Sequence, residues 1–189
     1  MDLLWTADSA TFVFLNQDIA NPVTDWLMPI ITNGIFLRVG LILSLSLALW
    51  KSGPEIKWIV AFIGVALLIS DQLVSSVLKP LISRPRPCHD NSGLEFARLL
   101  VNCGTGWSFP SAHSANAFAV AGVSFFAVRK SWRYLLPLAT LIALSRVFVG
   151  VHYPADIFLG AIIGGLCGVC AGLLYLKFLI WMRSRGRLN

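Results

Sequence analysis

The sequence predicts an all-α integral-membrane bundle of five to six spanning helices, on the strength of three observations. The 189 residues are 57% hydrophobic and only 13% charged, where a soluble domain carries about 25% charged residues. Mean hydropathy is +0.75, and the apolar residues form runs near the roughly 20 needed to cross a bilayer core about 30 Å thick. Many of the basic residues sit at the ends of those runs, where they set topology. The length suits a single unit, 1–189, and no repeat, linker or low-complexity tract divides it. The opening MDLLWTADSA has no basic n-region, so no cleavable signal peptide is expected. A net charge of +6 does not indicate nucleic acid, because no one stripe collects it.

Taken in order, residues 9–20 place Phe12, Leu15 and Ile19 at helical spacing, as an amphipathic helix lying on the membrane would. Twelve residues are too few to cross, although a sixth span is the alternative count. Pro22 separates this segment from the first span. Spans are expected over roughly 27–50, 57–78, 112–128, 133–149 and 155–181. Lys51 and Lys57, then Arg129, Lys130 and Arg133, then Arg183, Arg185 and Arg187 all fall on one side of such a series, as do Trp50, Trp58, Trp132 and Trp181. Positive flanks mark that side as cytoplasmic. The first 25 residues hold Asp2, Asp8, Asp18 and Asp25 with no Lys or Arg, consistent with the outside. The 79–111 loop and the 150–154 turn then share the outer face, and a cysteine placed at Ser92 should meet a membrane-impermeant label there.

Two charges lie inside spans. Arg38 and Asp71 stand 12 and 13 residues from Trp50 and Trp58, about 18 and 20 Å from the cytoplasmic boundary. Unpaired charges at that depth are expensive, so an ion pair between neighbouring helices, joined by a turn at Gly53 and Pro54, is expected. The competing reading turns Arg38 into the functional site.

The chemistry-bearing residues form three short motifs. Lys79, Arg84 and Arg86 are crowded together and stiffened by Pro80, Pro85 and Pro87. One such cation at a helix end snorkels to headgroups, whereas three repel one another unless an anion is expected. Phosphate suits them, since Arg offers a bidentate fork and Lys a point charge. Next, Ser108-Phe-Pro-Ser111-Ala-His113-Ser114 opens the third span. Ser111 there reads as an N-cap, yet free amides at a helix start also bind phosphate. Last, Ser145-Arg146 precedes His152, and Asp156 lies four residues beyond it. A carboxylate there accepts the Nδ1 proton and leaves Nε2 as a nucleophile.

Together Lys79-x6-Arg86-Pro87, Pro110-Ser111-Ala112-His113 and Ser145-Arg146-x5-His152-x3-Asp156 resemble the three signature motifs of the type 2 phosphatidic acid phosphatase family. The match covers 79–156 in order and spacing, with Ala112 where the family often has glycine. The resemblance implies a metal-independent enzyme without cofactors, on a helical fold shared with vanadium haloperoxidases. It implies His152 as nucleophile, oriented by Asp156, and His113 as proton donor to the leaving oxygen. Lys79, Arg86, Arg146, Ser111 and the amides from Ala112 onward would bind the phosphoryl oxygens. Arg84 is not a family position and reads as a headgroup contact. The acids near the motifs, Asp90, Glu95 and Asp156, do not form a metal cluster.

A phosphorylated membrane lipid is the expected substrate and partner, cleaved at the outer face of the inner (plasma) membrane. Undecaprenyl diphosphate leads by analogy with carrier recycling; phosphatidylglycerol phosphate, phosphatidic acid and lipid A phosphates stay open. A lipid-phosphate transporter would need the cations but not the His152–Asp156 pair, and a haloperoxidase is out of keeping with so apolar a chain. Cys88 and Cys103 share the outer loop, where an oxidising compartment allows a disulfide worth about 3 kcal/mol on the chain-entropy model; two free thiols are the alternative. Cys167 and Cys170 lie among glycines in the last helix and read as small packing residues.

Overall fold

The computed structural model describes residues 2–51, 54–89 and 97–187; Gly53, Asp90, Ser92 and Glu95 lie outside them. The described residues are helical and connecting segments, without strands.

Helix α1 (Asp2–Val13) runs into a π-helical turn, Phe14–Asp18. It starts earlier than the sequence pattern suggested, and it docks on the bundle through one face while Leu3 stays exposed. Phe12 is buried against Ala143, Val147, Tyr153 and Ile157. Asn16 is fully buried, its Nδ2 donating to the carbonyls of Arg98, Val147 and Phe148 at 3.0, 3.2 and 3.0 Å. Ile19, expected on the apolar face, stays exposed.

The first expected span is two helices, α2 (Pro22–Thr32) and α3 (Gly34–Lys51), bent by 57°. Asn33 makes the break. Its backbone is extended, and its Oδ1 accepts from the amides of Ile35 and Phe36 at 2.9 and 3.2 Å, starting a new helix. Helix α4 (Pro54–Gln72) continues through a π-helical stretch, Leu73–Leu78, into α5 (Lys79–Ile82). Then come α6 (Ala112–Ala127), α7 (Trp132–Phe148) and α8 (Pro154–Ser184). Among the described residues, Glu55–Ile82 and Pro154–Ser184 are each long and apolar enough to cross a membrane, and the bent pair makes a third candidate. Helices α6 and α7, at 16 and 17 residues, are shorter than the usual 20.

Helix α8 is the axis of the bundle. Gly160, Gly164, Gly168 and Gly172 recur every four residues on the face turned to α6. A methyl group at Gly164 would stand 1.8 Å from the Ala115 carbonyl oxygen, and one at Gly168 2.5 Å from that of Ala119. In lipid, close packing of this kind supplies the association that water supplies elsewhere. The stripe consists of glycines, so the packing role expected of Cys167 and Cys170 belongs to their neighbours; Cys170 is exposed. Ile59, Ile63 and Ala66 of α4 close over Ala119, Val123, Ala171, Tyr175 and Leu179.

The α6–α8 crossing fixes the site. It sets the two helix N-termini side by side, with the Ser111 amide donating to the Asp156 carbonyl at 2.9 Å. It also undoes the expected Arg38–Asp71 pair. Helix α4 packs mainly on α6 and α8 and barely on α3, so Asp71 accepts from Asn116 Nδ2 of α6 at 3.0 Å. Arg38 Nε instead donates to the Gly34 carbonyl at 2.9 Å.

Candidate active site

Three chain segments meet at this end of the bundle. The first leaves α5 at Ser83, whose positive φ of 50° breaks the helix. Behind the break, Lys79 Nζ donates to the Trp107 carbonyl at 2.9 Å. Arg86 donates from Nε to Gly106 O at 2.8 Å and from Nη1 to Cys103 O at 2.5 Å. A Cys88–Cys103 disulfide, with Cα atoms 6.1 Å apart, clasps the same loop, which answers the question the sequence left open. Burial holds the Arg86 guanidinium below its ordinary pKa, while the Asp156 charge opposes that shift.

The second segment ends at Ser111, the residue before α6. It occupies the N-cap position without a capping hydrogen bond from its side chain. Its Oγ is buried and has no hydrogen-bond partner among the described residues. Buried hydroxyls are normally bonded, so this one keeps its capacity for another group. Ala112 and His113 begin the helix. His113 lies within electrostatic reach of Arg146, His152, Lys79 and Arg86.

The third segment turns at Gly150, where φ is +84° and a Cβ would stand 2.1 Å from the Arg98 carbonyl oxygen. Only glycine fits such a turn. The amides of Val151 and His152 both donate to the Arg146 carbonyl, which ties the cation to the imidazole. Arg146 is buried, with Nη1 2.5 Å from Thr32 Oγ1.

His152 and Asp156 form a buried pair in the site. Asp156 is fully buried, and its Oδ2 lies 3.2 Å from His152 Nδ1. The same oxygen accepts from Ser108 Oγ and, at 2.8 Å, from the Tyr153 amide. Oδ1 accepts from Arg84 Nη1 at 2.7 Å. The carboxylate is therefore held from four directions, and the Nδ1 contact leaves Nε2 as the other ring nitrogen. Burial pushes the His152 pKa from 6.5 down to about 4, against the upward pull of Asp156. The imidazole is thus neutral near pH 7, as a nucleophile requires.

The sequence-derived set of Lys79, Arg86, Ser111, Ala112, His113, Arg146, His152 and Asp156 thus gathers at one end of the bundle. Three participants escaped it. Ser108 figures only as context within its motif and Thr32 in no motif at all, because a hydroxyl carries no signal of its partner. Arg84 is expected at a lipid headgroup. It is instead buried between Asp156 and Asp8, its Nη2 2.6 Å from Asp8 Oδ2. Asp8 counts in the sequence only toward the acidic bias of the first 25 residues, and no local pattern links it to Arg84.

The arrangement combines a carboxylate-oriented imidazole, a second histidine and three cations, which is a set suited to phosphoryl transfer. Comparison with known proteins agrees with it. The sequence profile described as the PAP2 superfamily matches residues 58–182. A lipid A 4'-phosphatase of Bacteroides thetaiotaomicron is 33% identical over 177 residues, covering 89% of this chain and 76% of that protein. A putative undecaprenyl-diphosphatase of Escherichia coli is 34% identical, covering 66% of this chain and 61% of its own length. Among solved structures, a transmembrane PAP2-type phosphatidylglycerolphosphate phosphatase from Bacillus subtilis superposes with a TM-score of 0.70 at 26% identity, covering 94% of this chain and 88% of that one.

Proposed function

The chain belongs to the PAP2 superfamily and is a membrane lipid phosphatase, and on that premise we propose that it works through a phosphohistidine at His152, without a metal ion. His152 Nε2 attacks phosphorus in line, and the bond to the leaving oxygen breaks as His113 gives that oxygen a proton. His113 then takes a proton from water, whose oxygen attacks phosphorus and frees His152 and inorganic phosphate. Lys79, Arg86 and Arg146 neutralise the equatorial oxygens, and Ser111 Oγ with the first amides of α6 adds hydrogen bonds. The carrying observation is the buried His152–Asp156 contact at 3.2 Å, whose carboxylate is fixed on both oxygens. The site opens on the outer face, opposite the end that holds Arg129, Lys130, Arg133 and Arg183.

Two lipids have specific support. A lipid A phosphate monoester takes first place, because the relative with that printed activity aligns along 89% of this chain. Undecaprenyl diphosphate, the substrate expected from sequence, is favoured by Arg38. A methyl group at Gly34 would lie 3.7 Å from Arg38 Nη2 and 4.0 Å from His113 Nε2. That sets a cation on the leaving-group side, where a diphosphate leaves as an anion. The test is phosphate release by purified protein from lipid A, undecaprenyl diphosphate, phosphatidylglycerol phosphate and phosphatidic acid, with EDTA present. Turnover in EDTA with trapped phosphohistidine is expected. Turnover that vanishes with EDTA and returns with a divalent ion would overturn the mechanism, and release from none of the four lipids would overturn the substrate class.

A further inference from the structure

We propose that Arg84 and Asp8 form a positioning clamp through which the docked N-terminal helix sets the orientation of Asp156. The proposal rests on the His152 mechanism above. Arg84 is 9% exposed and bridges two carboxylates, Asp156 at 2.7 Å and Asp8 at 2.6 Å. Its guanidinium carbon lies 3.9 Å from the centre of the Tyr153 ring and 4.4 Å from that of Trp5. The planar cation thus packs into the corner where the Trp5 ring of α1 meets the Tyr153 ring that precedes α8. Its carbonyl accepts from the Ser108 amide at 2.8 Å, and Ser108 also bonds Asp156. Asp8 completes the connection, because its Oδ1 accepts from the Ala155 amide at 2.8 Å.

These contacts fix a plane. Asp156 meets His152 through Oδ2 and Arg84 through Oδ1, so Arg84 stops the carboxylate from rotating about its Cβ–Cγ bond. Arg84 is in turn held from the far side by Asp8, which belongs to α1. Two carboxylates around one guanidinium leave a net negative charge beside His152, the charge that an imidazole carrying a phosphoryl group or a proton requires. A merely structural ion pair would need neither the shared carboxylate nor a second acid bonded to the Ala155 amide at the start of α8.

The discriminating variants are Asp8→Asn, which keeps the shape, and Arg84→Lys, which keeps the charge but not the fork. Arg84→Ala leaves two buried acids unpaired and is unsuitable if it fails to fold. Turnover and melting in detergent are measured together. Asp8→Asn should lower kcat about 10-fold and Arg84→Lys about 100-fold, the range for losing an outer partner of an oriented histidine. KM should stay within about twofold, since neither residue touches the phosphate, and the folded fraction should be unchanged. Unaltered kcat in both folded variants would overturn the clamp, as would losses accounted for entirely by the unfolded fraction. Wild-type turnover without trapped phosphohistidine would count against attack by His152 instead, because the clamp is read on kcat itself.

Discussion

Gly164 of α8 and Ala115 of α6 approach so closely that a Cβ at position 164 would stand 1.8 Å from the Ala115 carbonyl oxygen. The obstructing atom is backbone, so no rotamer change relieves it. Gly164→Ala should therefore cost at least about 3 kcal/mol, the upper part of the range for overpacking. Because the same crossing joins Ser111 to Asp156, any folded fraction should also lose activity. Gly165, with nothing within 4 Å of a Cβ, is the control: Gly165→Ala should melt at or slightly above the wild-type temperature. Equal melting of the two variants in detergent would refute the account of the crossing.

His152→Ala should fold and abolish turnover, because in the proposed mechanism its ring contributes the reacting nitrogen. Asp156→Asn should fold less well and be severely impaired. The amide nitrogen cannot accept from Ser108, His152 and the Tyr153 amide as Oδ2 does, nor can the neutral side chain pair with Arg84. Full activity in purified His152→Ala would end the proposed mechanism.

The His152 environment also sets a pH dependence. The residue lies in the turn between α7 and α8, and its pKa is lowered from 6.5 to about 4 by burial. Between those values the unfolded chain binds a proton that the folded protein does not. The contribution to stability is therefore present above about 6.5 and is lost as pH falls through that window. His152→Ala removes the group, so its melting temperature should fall less than that of wild type between pH 7 and pH 5. The acid limb of kcat/KM that belongs to the nucleophile should lie near 4. Parallel melting curves for the two proteins would contradict a buried neutral imidazole.

The motif spacing carried most of the site because His152 and Asp156, four residues apart across a helix start, meet through local geometry alone. The same holds for Ser111, whose place beside Pro110 marks a helix start. What was not legible depends on tertiary contact. Arg84 and Asp8 are 76 residues apart, and nothing in either segment specifies that they meet. The bend at Asn33 was missed because hydropathy runs through it unbroken. Depth matching failed for Arg38 and Asp71 for a related reason: equal depth says nothing about which helices are neighbours.

Sidedness is testable at a described surface. Asp18 is exposed at the corner after α1, on the site end of the bundle, and Arg185 is exposed beyond α8. With the site outside, Asp18→Cys should react with a membrane-impermeant maleimide in intact cells, and Arg185→Cys only after lysis. The reverse pattern would turn the protein over and place the chemistry in the cytoplasm.

Arg38 gives the last prediction, since it is exposed and bonded within its own helix while Asp71 is engaged by Asn116. Arg38→Met should therefore fold with little change in melting temperature. Asp71→Asn should cost about 1 kcal/mol through its hydrogen bond to α6. The double variant should lose the sum of the two, as for residues that do not touch. A coupling of more than about 1 kcal/mol would restore the ion pair expected from depth. Activity separates the substrates. If Arg38 meets an anionic leaving group beside His113, Arg38→Met should lower kcat/KM for undecaprenyl diphosphate about 10-fold or more, the scale of one charged hydrogen bond. A lipid A phosphate monoester, whose leaving oxygen belongs to a neutral sugar, should be affected several times less. Equal losses on both would place Arg38 on the transferred phosphoryl group, and no loss on either would remove it from the site.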